Sequence, residues 1–352
     1  VSTSPDRLRV VVATPLPDEL CEYITRAEPR IDLVVDQDLL PPMRFPGDHD
    51  GDPAFTRSPE QQARFEELVD SADVLYGIPD TNPADLTRTV RANPRLRWVH
   101  TMAAGGGGQV KAAGLTSAEL DRVVFSTSAG AHAATLAEFA LFGVLAGAKD
   151  LPKLQAHQAR KEWAPRWAMR QLSEMTVLVV GLGSIGRATV AKLSALGAKV
   201  VGTSRRDVDV PGLSAVVHPD DLAAAAAEAD AIVSTLPGTD ATHQMISADV
   251  LAAVRPGTIF VSVGRGTVVD EQALVSALED GRIGFAALDV FYTEPLPSDS
   301  PLWQLPNVVV APHTAALNDA EDRLIAELFV ENAGRLLDGR PLLNVVDTVE
   351  FY

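Results

Sequence analysis

The sequence predicts an α/β fold of two doubly wound parallel-sheet domains. Three observations predict it. Short β-branched runs alternate with alanine-rich helical stretches along nearly the whole chain. The chain has 352 residues, more than one ordinary core holds. The alternation also pauses at a long helical stretch and then restarts, leaving a last helix unassigned.

The first series reads as strands at Arg9–Thr14, Ile31–Val35, Val74–Ile78, Arg97–Met102 and Val123–Ser126. Asp18–Ala27, Glu60–Asp70 and Asp85–Ala92 read as the helices between them. Residues 36–59 break the pattern with Pro41-Pro42, Pro46-Gly47 and the acids Asp48, Asp50 and Asp52, and read as an exposed loop insertion. From Ala131 to about Lys161 runs one long helical pattern. Its apolar face, Leu136 to Leu145, is wider than one stripe, as expected of a helix covered on more than one side.

The second series begins with the apolar strand Thr176–Val180, followed by a helix over Arg187–Leu196. Further strands fall at Lys199–Thr203, Ala215–Val217, Ala231–Thr235, Thr258–Ser262, Phe285–Asp289 and Val308–Ala311, and a helix at Asp319–Leu337 closes the chain. One domain therefore lies inside the other: residues 129–313 within a discontinuous partner of 1–128 plus 314–352.

Composition narrows the function. With 30 Lys and Arg against 47 Asp and Glu, the net charge is −17, a field that repels nucleic acid and anionic bilayers. The longest uncharged apolar run, Phe139–Ala148, is about half of what a bilayer span requires. No secretory leader is visible. The single cysteine, Cys21, precludes an internal disulfide and a thiolate metal site. These features lead us to expect a cytoplasmic protein without a metal.

Gly181-Leu182-Gly183-Ser184-Ile185-Gly186 follows an apolar strand and opens a helix. In that context G-x-G-x-x-G suits a dinucleotide. Gly181 makes the turn, Gly183 lets a pyrophosphate approach, Gly186 lets helix and strand pack closely, and the amides of Ser184 and Ile185 face the phosphates. An acid ending the next strand would bind the ribose of NAD. The chain instead reads Ser204-Arg205-Arg206 there, which suits a 2′-phosphate and favours NADP over NAD.

A hydride-transfer site also needs a proton carrier. Among seven histidines, His49 lies in the acidic loop, His157 on a charged helix, and His218 and His243 beside helix starts. His100 could only line a cleft, and His132 opens the long helix. His313 follows Val308–Ala311 directly, where ligands bind in open α/β sheets. Arg265 and Glu294 also follow strands. Together the three would clamp a carboxylate (Arg265), exchange a proton (His313) and hold the imidazole in its protonated form (Glu294).

GLGSIG at 181–186, SVGRGTVVDEQAL at 262–274, ALDVFYTEPLP at 287–297 and PLWQLPNVVVAPHTA at 301–315 make the chain resemble the D-isomer-specific 2-hydroxyacid dehydrogenase family over nearly its whole length. The resemblance implies a Rossmann-type cofactor domain inserted in a flavodoxin-like substrate domain. It also implies a homodimer built on the 131–161 helix region. Arg265 then resembles the family's substrate-carboxylate arginine, Glu294 its histidine-orienting acid and His313 its acid/base. Asp289 matches a residue near the nicotinamide carboxamide, and Leu236, Pro237, Val263 and Gly264 match cofactor-lining turns. Ala104, Gly105 and Gly106 correspond to the amides that bind the substrate carboxylate, in a loop with more glycines than the family pattern. Ile78 ends a strand of the substrate domain and is expected to line an apolar part of the pocket.

The implied activity is NAD(P)-dependent interconversion of a 2-keto acid and a D-2-hydroxy acid, in the manner of a glyoxylate/hydroxypyruvate reductase. Relatives acting on formate carry Gln where Glu294 stands. Those acting on phosphite keep Arg, Glu and His, so a small oxyanion substrate stays open. A dinucleotide-sensing scaffold would need a peptide groove or long tails.

Overall fold

The computed structural model describes residues 7–351. It divides into two compact units, Val1–His132 with Leu317–Tyr352, and Ala133–Ala316.

In the first unit Leu8–Val12 (β1), Ile31–Val34 (β2), Val74–Tyr76 (β3), Trp98–Thr101 (β4) and Val124–Thr127 (β5) form a parallel sheet in the order β2-β1-β3-β4-β5. Asp18–Ala27 (α1), Pro59–Asp70 (α2), Pro83–Ala92 (α3), Gly107–Ala112 (α4) and Ser117–Arg122 (α5) make the crossovers. Helix α2 starts where its sequence dictates: the Ser58 hydroxyl accepts from Gln61 N–H, the Gln61 side chain returns a bond to Ser58 N–H, and Pro59 takes the first turn. The C-terminal helix, Glu321–Leu337, buries Ile325, Ala326, Phe329 and Ala333 in this core. Phe329 stacks on Trp98 at 4.9 Å between centroids and meets Tyr76 edge-on at 5.0 Å. A buried phenylalanine contributes about 1.5–3 kcal/mol, so this helix is a structural part of the unit rather than a tail.

In the second unit Ala133–Ala148 (α6) and Leu151–Ala159 (α7) precede the sheet. Thr176–Val180 (β6), Lys199–Thr203 (β7), Leu213–Val217 (β8), Ala231–Ser234 (β9), Thr258–Ser262 (β10), Ile283–Leu288 (β11) and Val308–Val310 (β12) align as β12-β11-β10-β9-β6-β7-β8, all parallel. Ser184–Ala195 (α8), Leu222–Ala227 (α9), Ala248–Ala253 (α10) and Glu271–Glu279 (α11) connect them. Val177, Val179, Val233, Ile259 and Val261 bury one face with α6 and α8. Leu178, Val180, Ile232 and Phe260 bury the other with α9, α10 and α11. Burial on both faces explains why these strands are continuously apolar rather than alternating.

Three expectations change. The helical stretch 131–161 is two helices, because Asp150 turns left-handed at φ +53° and Pro152 restarts the chain in the first turn of α7. The segment 36–59 is not simply exposed: Leu39, Leu40 and Asp48 are buried. The Asp48 carboxylate folds the loop about itself, accepting from Arg44 Nε at 2.7 Å and Nη2 at 2.8 Å and from Gly51 N–H at 3.1 Å. The Arg44 guanidinium holds that carboxyl below its usual range.

His100 lines no cleft. It is fully buried on β4 between the hydroxyls of Ser126 (2.8 Å) and Ser128 (3.1 Å), and burial lowers its pKa to about 3. His132 is buried as well, with Nε2 2.8 Å from Glu321 Oε1. Among the described residues, no helix is long and apolar enough to cross a membrane.

Candidate active site

Six neighbouring strands of the second sheet deliver their following residues to one edge. In the order β12-β11-β10-β9-β6-β7 these are His313, Asp289 to Glu294, Val263 to Gly266, Leu236 and Pro237, Gly181 to Gly186, and Ser204 to Arg206. The chain steps outward from β6 to β8 on one side and from β9 to β12 on the other. β6 and β9 therefore flank the switch point, outside whose carboxyl ends ligands bind in such sheets.

Two threonines that the sequence reading passed over fix the glycine loop. Gly181, at φ +102°, donates its N–H to Thr203 Oγ1 (3.0 Å), and its carbonyl accepts from Thr235 Oγ1 (2.9 Å). Each hydroxyl ends or follows a strand beside the loop, and that was the available signal. A Cβ at Gly186 would stand 1.9 Å from the Gly181 carbonyl oxygen, so only glycine lets α8 begin against this turn. Nothing lies within 4 Å of a Cβ position at Gly183, which leaves space before the first amides of α8. Those amides, at Ser184 and Ile185, have no partner within the helix by its geometry, and with the helix dipole they favour an anion. At the end of β7 the Ser204 hydroxyl accepts from Arg206 N–H (3.1 Å), and the side chains of Arg205 and Arg206 are exposed.

A histidine–glutamate pair lies on the other side of the switch point. His313 Nδ1 is 2.7 Å from Glu294 Oε2, and Glu294 Oε1 accepts from Phe291 N–H at 2.9 Å. Both of Glu294's oxygens are thus engaged, one locking the carboxylate to its own loop and one aiming it at the imidazole. With Nδ1 committed, Nε2 is the ring atom left to exchange a proton. His313 is 41% exposed at φ +53°, a left-handed conformation uncommon outside glycine and met at functional sites.

Arg265 leaves β10 with its Nη1 donating to Gly264 O (2.8 Å). The next residue, Gly266, is pressed against β11's loop, where a Cβ would lie 1.9 Å from the Phe291 carbonyl. Burial acts to lower the pKa of Arg265, and the charges of Glu294 and Asp289 act to raise it, so the three groups share one electrostatic neighbourhood. Asp289 is buried. Its Oδ1 accepts from the N–H groups of Thr314 (2.9 Å) and Ala315 (2.9 Å), which ties the histidine loop to β11, and Oδ2 has no partner. Burial pushes the Asp289 carboxyl up. A buried carboxylate oxygen without a partner at these strand ends fits an amide N–H such as that of a nicotinamide carboxamide. The open space at Gly183 fits a pyrophosphate in the same way.

The remaining candidates belong to the first unit. Ile78 is buried just after β3, and Ala104, Gly105 and Gly106 follow the adjacent strand β4. The extra glycines do not lengthen that loop, because Gly107 and Gly108 form the first turn of α4. Among the described residues no group of three or more His, Cys, Asp and Glu side chains is placed to hold a metal ion.

The family described as D-isomer specific 2-hydroxyacid dehydrogenase, NAD binding domain, matches residues 141–315. A D-isomer specific 2-hydroxyacid dehydrogenase from Xanthobacter autotrophicus, solved in complex with NADPH and MES, is 30% identical, with a TM-score of 0.77 over 99% of this chain and 100% of that one. The chain belongs to the D-isomer specific 2-hydroxyacid dehydrogenase family. Glyoxylate/hydroxypyruvate reductase B from Yersinia enterocolitica is 34% identical over 218 residues, 60% of this chain and 67% of its own. A probable 2-hydroxyacid dehydrogenase from Rhizobium etli, in complex with NADP, HEPES and L(+)-tartaric acid, is 26% identical with a TM-score of 0.74 over 98% of this chain. As a member of this family the protein is an NAD(P)-dependent oxidoreductase of the 2-keto acid and 2-hydroxy acid class.

Proposed function

We propose that the protein is an NADPH-preferring reductase of small 2-keto acids, of the glyoxylate and hydroxypyruvate class, with His313 as its acid/base. The observation that carries this reading is the 2.7 Å pairing of His313 with Glu294 at the strand ends that Arg265 shares. The reductase name of the Yersinia relative and the NADPH and NADP in the Xanthobacter and Rhizobium structures support the substrate class and the cofactor.

Arg265 binds the substrate carboxylate, and the amides of Ala104, Gly105 and Gly106 add a second hold on it. Protonated His313 donates from Nε2 to the carbonyl oxygen as C2 is reduced, leaving the D-2-hydroxy acid. Glu294 stabilises the imidazolium before the transfer and keeps the ring oriented after it. When bound, the reduced dinucleotide supplies the hydride. The glycine loop with Ser184, Ile185 and the turns at Leu236, Pro237, Val263 and Gly264 would hold it. Asp289 Oδ2 would accept from its carboxamide, and Ser204, Arg205 and Arg206 would hold its 2′-phosphate. Ile78 lines the apolar end of the substrate pocket.

A second copy of the chain is the partner we assign to the α6–α7 face, and a cytoplasmic location accords with the composition. Phe142 and Leu154 are 43% and 40% exposed there, in an apolar groove with Leu141, Leu145 and Leu151.

The test is oxidation of NADPH and of NADH, in parallel, with glyoxylate, hydroxypyruvate, phenylpyruvate and 2-ketoisocaproate. The expected result is turnover with kcat/KM for NADPH at least tenfold above NADH, and a loss of that preference when Arg205 and Arg206 are replaced by Ala. Preference for NADH would remove the role given to the two arginines. Absence of turnover with every keto acid would remove the substrate class.

A further inference from the structure

The backbone after β3 holds an unfavourable conformation. Asp80 (φ 53°, ψ 21°) and Thr81 (φ 49°) are two successive non-glycine residues in the left-handed region, which a β-branched threonine rarely enters. Such a turn persists only where its surroundings over-determine it, and here they are visible.

Arg57, its side chain 7% exposed and its guanidinium 3.8 Å above the Phe65 ring, donates from Nη1 to Asp80 Oδ2 at 2.9 Å. The Arg57 Nε in turn donates to Leu39 O. The Thr81 hydroxyl donates to Asp50 Oδ1 at 2.6 Å. Both outside groups, Asp50 and Arg57, come from the Pro-rich segment 36–59, which buries Leu39 and Leu40 in the core and supplies nothing to the mechanism. On its other side the turn passes the constraint on: the Thr81 carbonyl accepts from Gln109 Nε2 (3.2 Å), on the helix α4 that begins at the glycine loop. The buried Ile78 immediately precedes the turn, and its carbonyl accepts from Thr81 N–H at 2.9 Å.

We propose that segment 36–59 is a clamp whose residues Asp50 and Arg57 hold the 79–81 turn, and through it set the positions of Ile78 and of the 104–106 amides toward the 2-keto acid. Asp50 and Arg57 are positioning residues and do not touch substrate. The proposal rests on the reading of Ile78 and the 104–106 amides as the substrate-facing groups of this unit. A clamp of this kind tunes which keto acid is held rather than whether hydride moves, so its signature is in KM for the keto acid. The cofactor groups lie in the other unit and should not respond.

The test exploits the exposure of Asp50, whose replacement leaves the core intact. Asp50→Ala should raise KM for hydroxypyruvate and phenylpyruvate about fivefold or more, with kcat within about twofold and KM for NADPH unchanged. Asp50→Asn keeps an oxygen that accepts from Thr81 and should stay within about twofold of the unaltered protein. Amide hydrogen exchange should rise at 78–82 and at 104–110 in Asp50→Ala and stay unaltered elsewhere. If the unaltered chain reduces keto acids and Asp50→Ala leaves their KM unchanged, the clamp is wrong and the activity stands. An equal loss in Asp50→Asn and Asp50→Ala also overturns it, since the hydrogen bond would then not be the cause. If the unaltered chain reduces no keto acid, the substrate reading fails and the clamp's role falls with it.

Discussion

His313 illustrates how one side chain acquires a chemical role from three neighbours. Its ring nitrogen Nδ1 meets Glu294 at 2.7 Å, Glu294 is pinned by Phe291 N–H, and the loop after the histidine is pinned by Asp289. Replacing His313 by Asn leaves these backbone bonds and removes the imidazole that we propose as the proton carrier. We therefore expect kcat for keto acid reduction to fall by about 10²-fold or more with KM for NADPH little changed, measured by steady-state kinetics. Glu294→Gln keeps the shape and removes the charge that faces the ring at 2.7 Å. We expect kcat for keto acid reduction to fall about tenfold or more with KM for NADPH little changed. An unaltered kcat would separate Glu294 from the histidine. Position after a strand was legible for His313, Arg265 and Glu294 in the sequence. The lock on Glu294 by Phe291 N–H was not, because a backbone bond across three residues leaves no mark in residue type.

Elements were read best where the physics is local. Thr176–Val180, Lys199–Thr203 and Thr258–Ser262 have the bounds that their apolar runs suggest, since strands buried on both faces end where polarity begins. The short helices α4, α5 and α11 have no counterpart in the expected elements, and α9 and α10 are marked only by the helix starts beside His218 and His243, although Thr116, Ser247 and Asp270 cap three of the five. Six to nine residues give too few turns for a periodicity to show. The joint between β6 and α8 is the element whose geometry is most exacting. Gly186→Ala would put a methyl 1.9 Å from the Gly181 carbonyl oxygen, a backbone group that cannot yield as a flexible side chain would, and 3.2 Å from Thr235 Oγ1. The helix must shift away from the turn, at a cost of about 1–3 kcal/mol, and the amides of Ser184 and Ile185 move with it. NADPH binding, followed by fluorescence titration, should weaken about tenfold or more, while far-UV circular dichroism still reports a folded chain. Undiminished binding would show that the turn has slack the close contact denies.

At the scale of the whole molecule, the net charge of −17 and the exposed apolar face oppose each other. Like charges keep copies apart over roughly 10 Å at 0.1 M salt, whereas Phe142 and Leu154 gain only by losing water at contact. The α6–α7 face concentrates that gain, because Leu141, Leu145 and Leu151 line the same groove and the charged Glu138 and Lys149 sit among them with opposite signs. Burying what is still exposed of a phenylalanine and a leucine in each of two copies contributes about 3 kcal/mol, less than association costs, so a stable dimer also needs the surrounding residues of the face to close. Light scattering after size exclusion should therefore give twice the 37.4 kDa chain mass at micromolar concentration. Raising salt from 0.05 to about 0.5 M should tighten the dimer, since screening removes the repulsion and leaves the apolar contact. Phe142→Asp adds charge to the centre of the groove and should give a single-chain mass without loss of helix content. Retention of the double mass by Phe142→Asp, or dissociation by salt, would move the interface to another, ionic face and leave the breadth of α6's apolar surface to intramolecular packing alone.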